Sequence, residues 1–428
     1  MTGVPHRHGN LILSTLLLLG VACSPAVSEE PQVRARRLLA ATPLIDGHND
    51  LPWALHELGI GDLADLDLNQ RQDELMTDMV RLRAAGVGGQ FWVCYVPTAA
   101  TAKGTAAWQA ARQIDLIDRL VAAYPETLAR AQTAAEIRAA HRQGKVASLM
   151  GMEGGHMIEN SLAILRNNYR LGVRYMTLTH SDNTDWADSA TDEPVHGGLT
   201  PFGEEVVREM NRLGMLVDLS HVSDDTMRDV LRLAEAPVIF SHSSARAVAD
   251  HVRNVPDDIL EMVRANGGVV MVNFAPSFVS PEVAVARRGA FAAYKDAMTR
   301  FPEDRDAREK VMEKFYDEHP APPATLAQVA DHMDHIRHVA GGETVGIGSD
   351  FDGIGDVPEG LEDVSKFPDL VVELINRGWS DEEISRALGG NLLRVLAAAE
   401  DVAARLQIEK SPSTATLAAL DGSPVAVP

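Results

Sequence analysis

Residues 215–242 read MLVDLSHVSDDTMRDVLRLAEAPVIFSH and contain one pattern twice. An apolar run ends in His221, a helix-like stretch that opens with acidic residues follows, and a second apolar run ends in His242. A short apolar run flanked by turns is typical of a strand that is buried on both faces of a parallel sheet. The segment therefore predicts strand, helix and strand, with an imidazole just beyond the carboxyl end of each strand.

The same alternation continues along the chain. Eight strand-like runs lie near residues 44–47, 90–96, 146–151, 173–179, 215–219, 237–241, 268–273 and 345–348. Amphipathic helix-like stretches separate them; residues 200–214, for example, open with Thr-Pro and close at a glycine. Eight β/α units favour a closed (β/α)8 TIM-type barrel over an open sheet.

Side chains that can bind a metal follow most of these runs. They are His48, Asp50, Glu153, His180, His221, His242 and Asp350. Because a (β/α)8 barrel builds its active site at the carboxyl ends of its strands, we expect these side chains to converge. The pattern predicts a metal-dependent hydrolase.

Five of these residues form a candidate ligand set for two zinc ions. His48 and Asp50 are two residues apart in an extended segment and point to the same side. Glu153, followed by two glycines, is the best candidate for a carboxylate that bridges two cations. We expect His48, Asp50 and Glu153 on one zinc, and Glu153, His221 and His242 on the other, around a bridging hydroxide. Taken singly, each residue has a structural alternative, such as a hydrogen-bonded histidine in a turn.

The remaining polar residues suggest roles in substrate binding and proton transfer. Asp350 is the candidate acid/base, with Asp352 as its competitor. His180 is placed to stabilise an oxyanion. Arg253 can pair with a substrate carboxylate, although from the residue alone a surface salt bridge is favoured. His156 is a candidate for orienting a ligand.

Other features receive structural interpretations. His332, His335 and His338 are predicted to form a solvated helix face, and Cys94 to lie in the core. A charged, helix-prone insertion at about residues 280–325 separates strands seven and eight. A lid or specificity element and a helical excursion without a chemical role are equally compatible with it.

The bulk composition and the termini bear on location. The net charge of −22 argues against nucleic-acid binding. An apolar run after Arg7 predicts a signal peptide at residues 1–22, and Cys23 within a lipoprotein-type sequence predicts a lipid-anchored, exported protein of a bacterial cell envelope, in the periplasm or at the outer membrane. Plain secretion is the alternative. Residues 23–38 are expected to be a tether, 39–407 the metallo-hydrolase domain, and 408–428 a disordered tail.

Several long motifs resemble the membrane (renal) dipeptidase family of zinc peptidases, over about residues 40–400. They are IDGHNDLPW (45–53), GMEGGH (151–156), LTHSDNTDWADS (178–189), GMLVDLSHVS (214–223), PVIFSHSSAR (237–246), RNVPDD (253–258), GSDFDG (348–353) and PEGLEDVSKFPDL (358–370). The resemblance implies an amidohydrolase-type barrel with two zinc ions, a homodimer, and hydrolysis of dipeptides, including those with a C-terminal D-residue.

Position by position, the resemblance implies roles for the same residues. It assigns His48, Asp50, Glu153, His221 and His242 to zinc, and it gives His180, Arg253 and Asp350 to substrate binding and catalysis.

The sequence departs from the animal members of the family at two places. Phe278 stands where they place a tyrosine that can touch substrate, and the 280–325 insertion is absent from their pattern. Functional alternatives are another barrel hydrolase, such as a lactonase, deaminase, phosphoesterase or β-lactam-opening enzyme, and a lipoprotein that retains the barrel only for binding.

Overall fold

A computed structural model describes residues 1–6, 29–302 and 304–422. Strands within these ranges are β1 (Leu44–Asn49), β2 (Val87–Tyr95), β3 (Leu128–Arg130), β4 (Val146–Glu153), β5 (Val173–Thr177), β6 (Leu216–Asp218), β7 (Ile239–Phe240), β8 (Val269–Val272) and β9 (Val345–Ile347).

Eight of these strands close a parallel barrel. The order around it is β1, β2, β4, β5, β6, β7, β8, β9 and back to β1. All residues of these eight strands are buried, as expected for strands covered by helices on the outside and by barrel side chains on the inside. The predicted (β/α)8 barrel is confirmed, and each predicted strand-like run overlaps one barrel strand. The short β3, which the sequence did not predict, pairs with the first residues of β4.

Helices surround the barrel. In chain order they are α1 (Pro31–Ala41), α2 (Leu51–Glu57), α3 (Met79–Ala85), α4 (Ala99–Ala102), α5 (Ala106–Ala123), α6 (Ala134–Arg142), α7 (Leu162–Leu171), α8 (Pro201–Leu213), α9 (Asp224–Leu233), α10 (Asp257–Asn266), α11 (Pro276–Val279), α12 (Pro281–Ala286), α13 (Ala290–Arg300), α14 (Arg305–Glu318), α15 (Leu326–Ala340), α16 (Phe367–Asn376), α17 (Asp381–Ser385), α18 (Asn391–Glu409) and α19 (Leu417–Leu420).

Local sequence sets the helix ends that position the barrel strands. The Thr200 hydroxyl accepts a hydrogen bond from the backbone N–H of Gly203 at the start of α8, and Pro201 occupies the first turn. Gly214 ends this helix with φ 82°, a left-handed conformation that favours glycine. The chain then turns directly into β6, so α8 and β6 are joined by a short, well-defined connection.

The insertion between the seventh and eighth barrel strands is helical, as predicted. It contains α12, α13 and α14, and α11 lies just before it. The insertion contacts loops at the carboxyl ends of the strands through ion pairs, one of which joins Lys295 to Asp182. The insertion therefore lies on the face where the strand-end side chains are expected.

Two expected flexible segments are partly ordered. Residues 31–38 were assigned to the tether, but they lie in α1, because Ala35, Leu38 and Leu39 form an apolar stripe that is buried against the domain. Residues 408–422 were assigned to a disordered tail, but α19 lies within them and buries Leu417 against α8. The Asp421 carboxylate accepts hydrogen bonds from the Thr200 hydroxyl and from the backbone N–H of Phe202.

Within the described residues, none of the helices is both apolar enough and long enough to span a bilayer. Most of the predicted signal peptide and the predicted lipidation site Cys23 lie outside the described residues.

Candidate active site

One carboxylate oxygen lies at the centre of four imidazoles. Glu153 is the last residue of β4, and its Oε1 lies 2.9 Å from His221 Nε2, 3.3 Å from His48 Nε2, 3.4 Å from His242 Nε2 and 3.8 Å from His180 Nε2. These histidines come from the carboxyl ends of β1, β5, β6 and β7. The barrel thus brings together residues that are up to 194 positions apart in the sequence, by the difference between 242 and 48.

Two aspartates extend the cluster. His48 Nε2 lies 3.3 Å from Asp50 Oδ2, and potential ligand atoms of His48, Asp50 and Asp350 lie within 4.8 Å of one another. Two further groups meet the same distance limit, and Glu153 belongs to both. They are His48, Glu153 and His242, and Glu153, His180 and His221. The five predicted ligands therefore lie together, and His180 joins one of these groups although its Nε2 is the farthest of the four imidazole nitrogens from Glu153 Oε1.

The nitrogens and oxygens at this site fit cations better than they fit hydrogen bonds to one another. His221 Nε2 and His242 Nε2 are 2.9 Å apart, and His48 Nε2 and His221 Nδ1 are buried without a hydrogen-bond partner in the described part of the chain. A buried polar atom without a partner costs about 1–3 kcal/mol. Imidazole nitrogens and carboxylate oxygens are the ligands zinc takes, so the donor set fits such a metal.

A tyrosine orients His48 toward the cluster. The Tyr175 hydroxyl lies 3.0 Å from His48 Nδ1 and donates a hydrogen bond to the Gly47 carbonyl oxygen at 3.1 Å. Since the hydroxyl has one proton and gives it to the carbonyl, Nδ1 must donate its N–H to the hydroxyl oxygen. That tautomer leaves the Nε2 lone pair directed at the cluster. A Cβ at Gly151 would collide with the Tyr175 ring, so the glycine in β4 makes room for it.

A serine holds His242 in the same way. His242 Nδ1 lies 2.7 Å from Ser241 Oγ, and the Ser241 backbone N–H donates a hydrogen bond of 2.9 Å to Oδ1 of the buried Asp218. With Nδ1 held by the serine, the Nε2 atom of His242 faces Glu153 in the cluster.

The geometry distinguishes Asp350 from its competitor Asp352. Asp350 Oδ2 accepts a hydrogen bond of 2.9 Å from Asn273 Nδ2 and lies beside the cluster, whereas Asp352 Oδ1 accepts one of 2.7 Å from the Met76 backbone N–H. Burial raises the pKa of Asp350 to about 7; His48 acts against this rise, and the Asp50 carboxylate adds to it. A carboxyl group with this pKa can give or take a proton near neutral pH.

Backbone strain is concentrated at the same strand ends. His221, Asp350 and Asp352 are non-glycine residues with φ of 74°, 66° and 67°. This left-handed conformation costs about 1–3 kcal/mol at a constrained site and is found most often at functional sites.

Arg253 is a buried cation with unused donors, which corrects the surface salt bridge favoured from the residue alone. It is 1% exposed, its Nη1 donates to Ser243 Oγ at 3.4 Å, and its Nε and Nη2 have no hydrogen-bond partner among the described residues. Burial lowers its pKa to about 10, which still leaves it charged at neutral pH. The Phe278 ring centroid lies 5.4 Å from its guanidinium carbon. A buried, unpaired guanidinium is suited to bind an anion.

Two predicted histidine roles are changed by the structure. His332 is fully buried and accepts a hydrogen bond from the Ala245 backbone N–H, so it is not on a solvated face, whereas His338 is exposed as predicted. His156 Nε2 lies 2.8 Å from the Val96 carbonyl oxygen, and burial lowers its pKa to about 4. It therefore stabilises a loop as a neutral ring. Cys94 is buried, as expected.

Sequence reasoning missed three tyrosines near the cluster. Tyr175 points into the barrel from β5, and no sequence signal separates it from other strand residues. Tyr95 ends β2, and its ring centroid lies 4.9 Å from that of His180. Tyr294 comes from the insertion and lines a groove together with Tyr95. The position of Tyr95 at a strand end was a usable signal, whereas Tyr294 had none.

The family model described as membrane dipeptidase (peptidase family M19) matches residues 32–410. The chain belongs to this family. Its hydrolase chemistry and metal binding agree with the cluster around Glu153.

Two curated relatives show how widely the membrane dipeptidase sequence is shared. The chain is 43% identical over 380 residues to Dipeptidase 3 of Mus musculus. The matched region is 87% of this chain and 68% of that protein. It is 41% identical over 392 residues to Dipeptidase verJ of Clonostachys rogersoniana. This match is 89% of this chain and 90% of that protein.

Solved structures share the architecture. The probable dipeptidase PvdM of Pseudomonas aeruginosa superposes with a TM-score of 0.73 at 25% identity, covering 87% of this chain and 99% of that one. A metallo peptidase of Rhodobacter sphaeroides, liganded with a phosphinate mimic of the dipeptide L-Ala-D-Ala, gives a TM-score of 0.66 at 26% identity, covering 84% and 99%.

Proposed function

We propose that this chain hydrolyses dipeptides at a centre of two zinc ions, with Asp350 as acid/base and Arg253 as the anchor for the substrate carboxylate. The observation that carries the proposal is the position of Glu153 Oε1 among four imidazoles, on the same barrel face as the buried, unpaired Arg253. This combination suits a small substrate that has a free carboxylate close to its scissile bond.

The residues that would hold the metals are those that the sequence predicted. His48, Asp50 and Glu153 would bind one ion, and Glu153, His221 and His242 the other. Bound zinc supplies a Lewis acid for the scissile carbonyl and lowers the pKa of water toward neutrality.

The chain's own residues account for proton transfer and orientation. Asp350 takes a proton at its carboxylate and gives it to the departing amine, a role that its raised pKa suits. Burial lowers the pKa of His180, so its ring is neutral and can donate one N–H to the carbonyl oxygen as negative charge develops there. Arg253 binds the terminal carboxylate with the two nitrogens that lack partners.

The proposal is tested by comparing a dipeptide with its C-terminal amide. Removing the negative charge that Arg253 would bind should lower kcat/KM by about 10- to 100-fold, the range expected for a charge-assisted hydrogen bond. Chelation should abolish the activity, and added zinc should restore it. Equal rates on the acid and the amide would favour another barrel hydrolase activity, such as a lactonase.

Substrate stereochemistry is part of the proposal. A related structure is liganded with a mimic of L-Ala-D-Ala, and we propose that this chain also accepts a D-residue at the C-terminal position. Hydrolysis of L-Ala-D-Ala and L-Ala-L-Ala at measurable rates supports this, and complete rejection of the D-residue would contradict it.

Export, lipid anchoring and dimerisation complete the proposal. The apolar run before Cys23 supports a signal peptide and lipidation of this cysteine, and the family resemblance supports a homodimer. Mass spectrometry of the mature N-terminus should find a lipid on Cys23, and Cys23→Ala should release the protein from membranes. Sedimentation should give twice the mass of the chain.

A further inference from the structure

The insertion is fixed over the active face at three points. Ion pairs join it to the end of α2, which follows β1, and to loops that follow β5 and β9, namely Arg308–Glu57, Lys295–Asp182 and Arg287–Asp356. The Lys295 ammonium also donates to the Ser181 carbonyl oxygen at 3.4 Å, one residue beyond His180. Because these anchors are attached to three separate barrel units, helix α13 has a defined position relative to the cluster.

One side chain of α13 reaches the catalytic residues. The Tyr294 and Tyr95 side chains line the same groove, and the Tyr95 ring packs 4.9 Å, centroid to centroid, from both His180 and Trp53. Burial raises the pKa of Tyr294 to about 12, and the negative charge of Glu153 contributes to this shift. Tyr294 is therefore part of the wall beside the metal-type cluster, although it belongs to the insertion.

The barrel order indicates which end of a substrate this wall would meet. Tyr95 ends β2, and Arg253 follows β7. Going round the barrel, three strands separate β2 from β7 in either direction, so these two strands lie opposite each other. A dipeptide whose carboxylate binds Arg253 and whose amide lies at Glu153 must direct its N-terminal residue toward Tyr95 and Tyr294.

A groove lies along the same tyrosines. It has a volume of about 370 Å³, and its lining includes Tyr95, Thr98, Asp182, Tyr294, Lys295 and Met298. The tyrosine pair thus forms a shared wall for the groove and the centre. A shorter side chain at position 294 would remove part of this wall, so that a substrate side chain bound at the centre could extend into the groove.

We propose that Tyr294 is a specificity-determining residue that contacts the N-terminal residue of the dipeptide and limits the size of its side chain. This inference rests on the proposed dipeptidase function. It gives the insertion a chemical role.

The test is a kinetic comparison of Tyr294→Ala with the wild-type metal-loaded enzyme on two dipeptide panels. One panel varies the N-terminal residue through Gly, Ala, Leu and Phe with a fixed C-terminal residue, and the other varies the C-terminal residue with a fixed N-terminal one. In the variant, the ratio of kcat/KM for Phe to that for Gly should rise by about 10-fold or more in the first panel, the scale on which a pocket discriminates by size. Ratios in the second panel should stay within about twofold of wild type.

Two further variants separate the ring from its hydroxyl and control for the insertion. Tyr294→Phe keeps the ring and should keep the size limit. Tyr316→Phe removes a hydroxyl from the same insertion, next to Arg287, and should leave both panels unchanged. If Tyr294→Ala does not fold, Tyr294→Leu also shortens the side chain but removes less of its volume, so it tests the same size limit.

The outcomes separate this inference from the function on which it rests. A wild-type enzyme that cleaves no dipeptide contradicts the proposed function. A wild-type enzyme that cleaves dipeptides, together with a Tyr294→Ala variant that keeps its metal and its N-terminal preference, overturns the role of Tyr294 alone. Equal changes in both panels also overturn it, since they indicate a general loosening of the site.

Discussion

The strand ends and the insertion contribute to the same site in different ways. At the strand ends, barrel closure brings four imidazole nitrogens within 3.8 Å of Glu153 Oε1. The insertion reaches the site through one tyrosine on a helix that ion pairs hold in place. The contrast indicates that the barrel provides the catalytic residues and that the insertion limits which substrate side chains fit. Mutations in the two regions should therefore differ in kind as well as in size.

The largest effect is expected at the centre of the strand-end cluster. Glu153→Gln removes the charge shared by four imidazoles, so turnover should fall by more than about 1,000-fold and bound metal should drop sharply. Steady-state kinetics and elemental analysis on the same sample check this. A variant with full metal content and a near-normal rate would show that Glu153 is not a bridging ligand.

The next effect separates chemistry from metal binding. Asp350→Asn should keep the fold and the metal but lose about 100- to 10,000-fold in kcat, because the amide cannot carry the proton. Asp352→Asn is the matched control. It also alters a half-buried carboxyl group in the same loop, but that carboxylate accepts its hydrogen bond from the Met76 backbone N–H. If instead Asp350→Asn retained the wild-type rate and Asp352→Asn lost it, the roles would be reversed.

A smaller effect is expected from a residue that acts only through a ligand. Tyr175→Phe removes the hydroxyl that fixes the His48 tautomer, and zinc affinity should fall by about 10- to 100-fold. Competition with a chelating dye measures this without reference to activity. Tyr169→Phe, on the outer helix α7, should have no effect on affinity. An unchanged affinity in Tyr175→Phe would mean that the strand backbone alone orients His48.

The smallest effect belongs to the insertion's anchors. Lys295→Met breaks the ion pair with Asp182. Because both side chains of this pair are about one-third exposed, the free energy of unfolding should change by no more than about 1 kcal/mol. The N-terminal preference should nevertheless shift in the same direction as in Tyr294→Ala, and by less. Thermal unfolding together with the dipeptide panel measures both, and a large loss of stability would indicate that the insertion supports the barrel.

The strand ends could be predicted from the sequence, whereas contacts made by loops, helices and the insertion could not. The barrel and its ligands were predictable because a parallel strand is a short apolar run, and because its carboxyl end has a fixed place in the fold. His48, Glu153 and His242 could thus be assigned to one site from their positions alone. The burial of Arg253 and His332 was not predictable, because it depends on loops and helices that pack over them only in the folded chain.

Long-range contacts account for the other failures. Residues 31–38 and 408–422 are polar enough to be taken for a tether and a tail, but Leu38 and Leu417 are buried against helices that are distant in sequence. The position of Tyr294 could not be predicted for the same reason. Nothing in a charged helical stretch indicates that one of its side chains lies beside the end of β2.

The central claim is that side chains from separate strands hold a pair of cations at the carboxyl end of one barrel. Anomalous X-ray diffraction at the zinc edge, on crystals of the zinc-loaded protein, tests it most directly. The account predicts two peaks on either side of the Glu153 carboxylate, one beside His48 and Asp50 and the other beside His221 and His242. No peak at Glu153, or a single peak away from these residues, would contradict it.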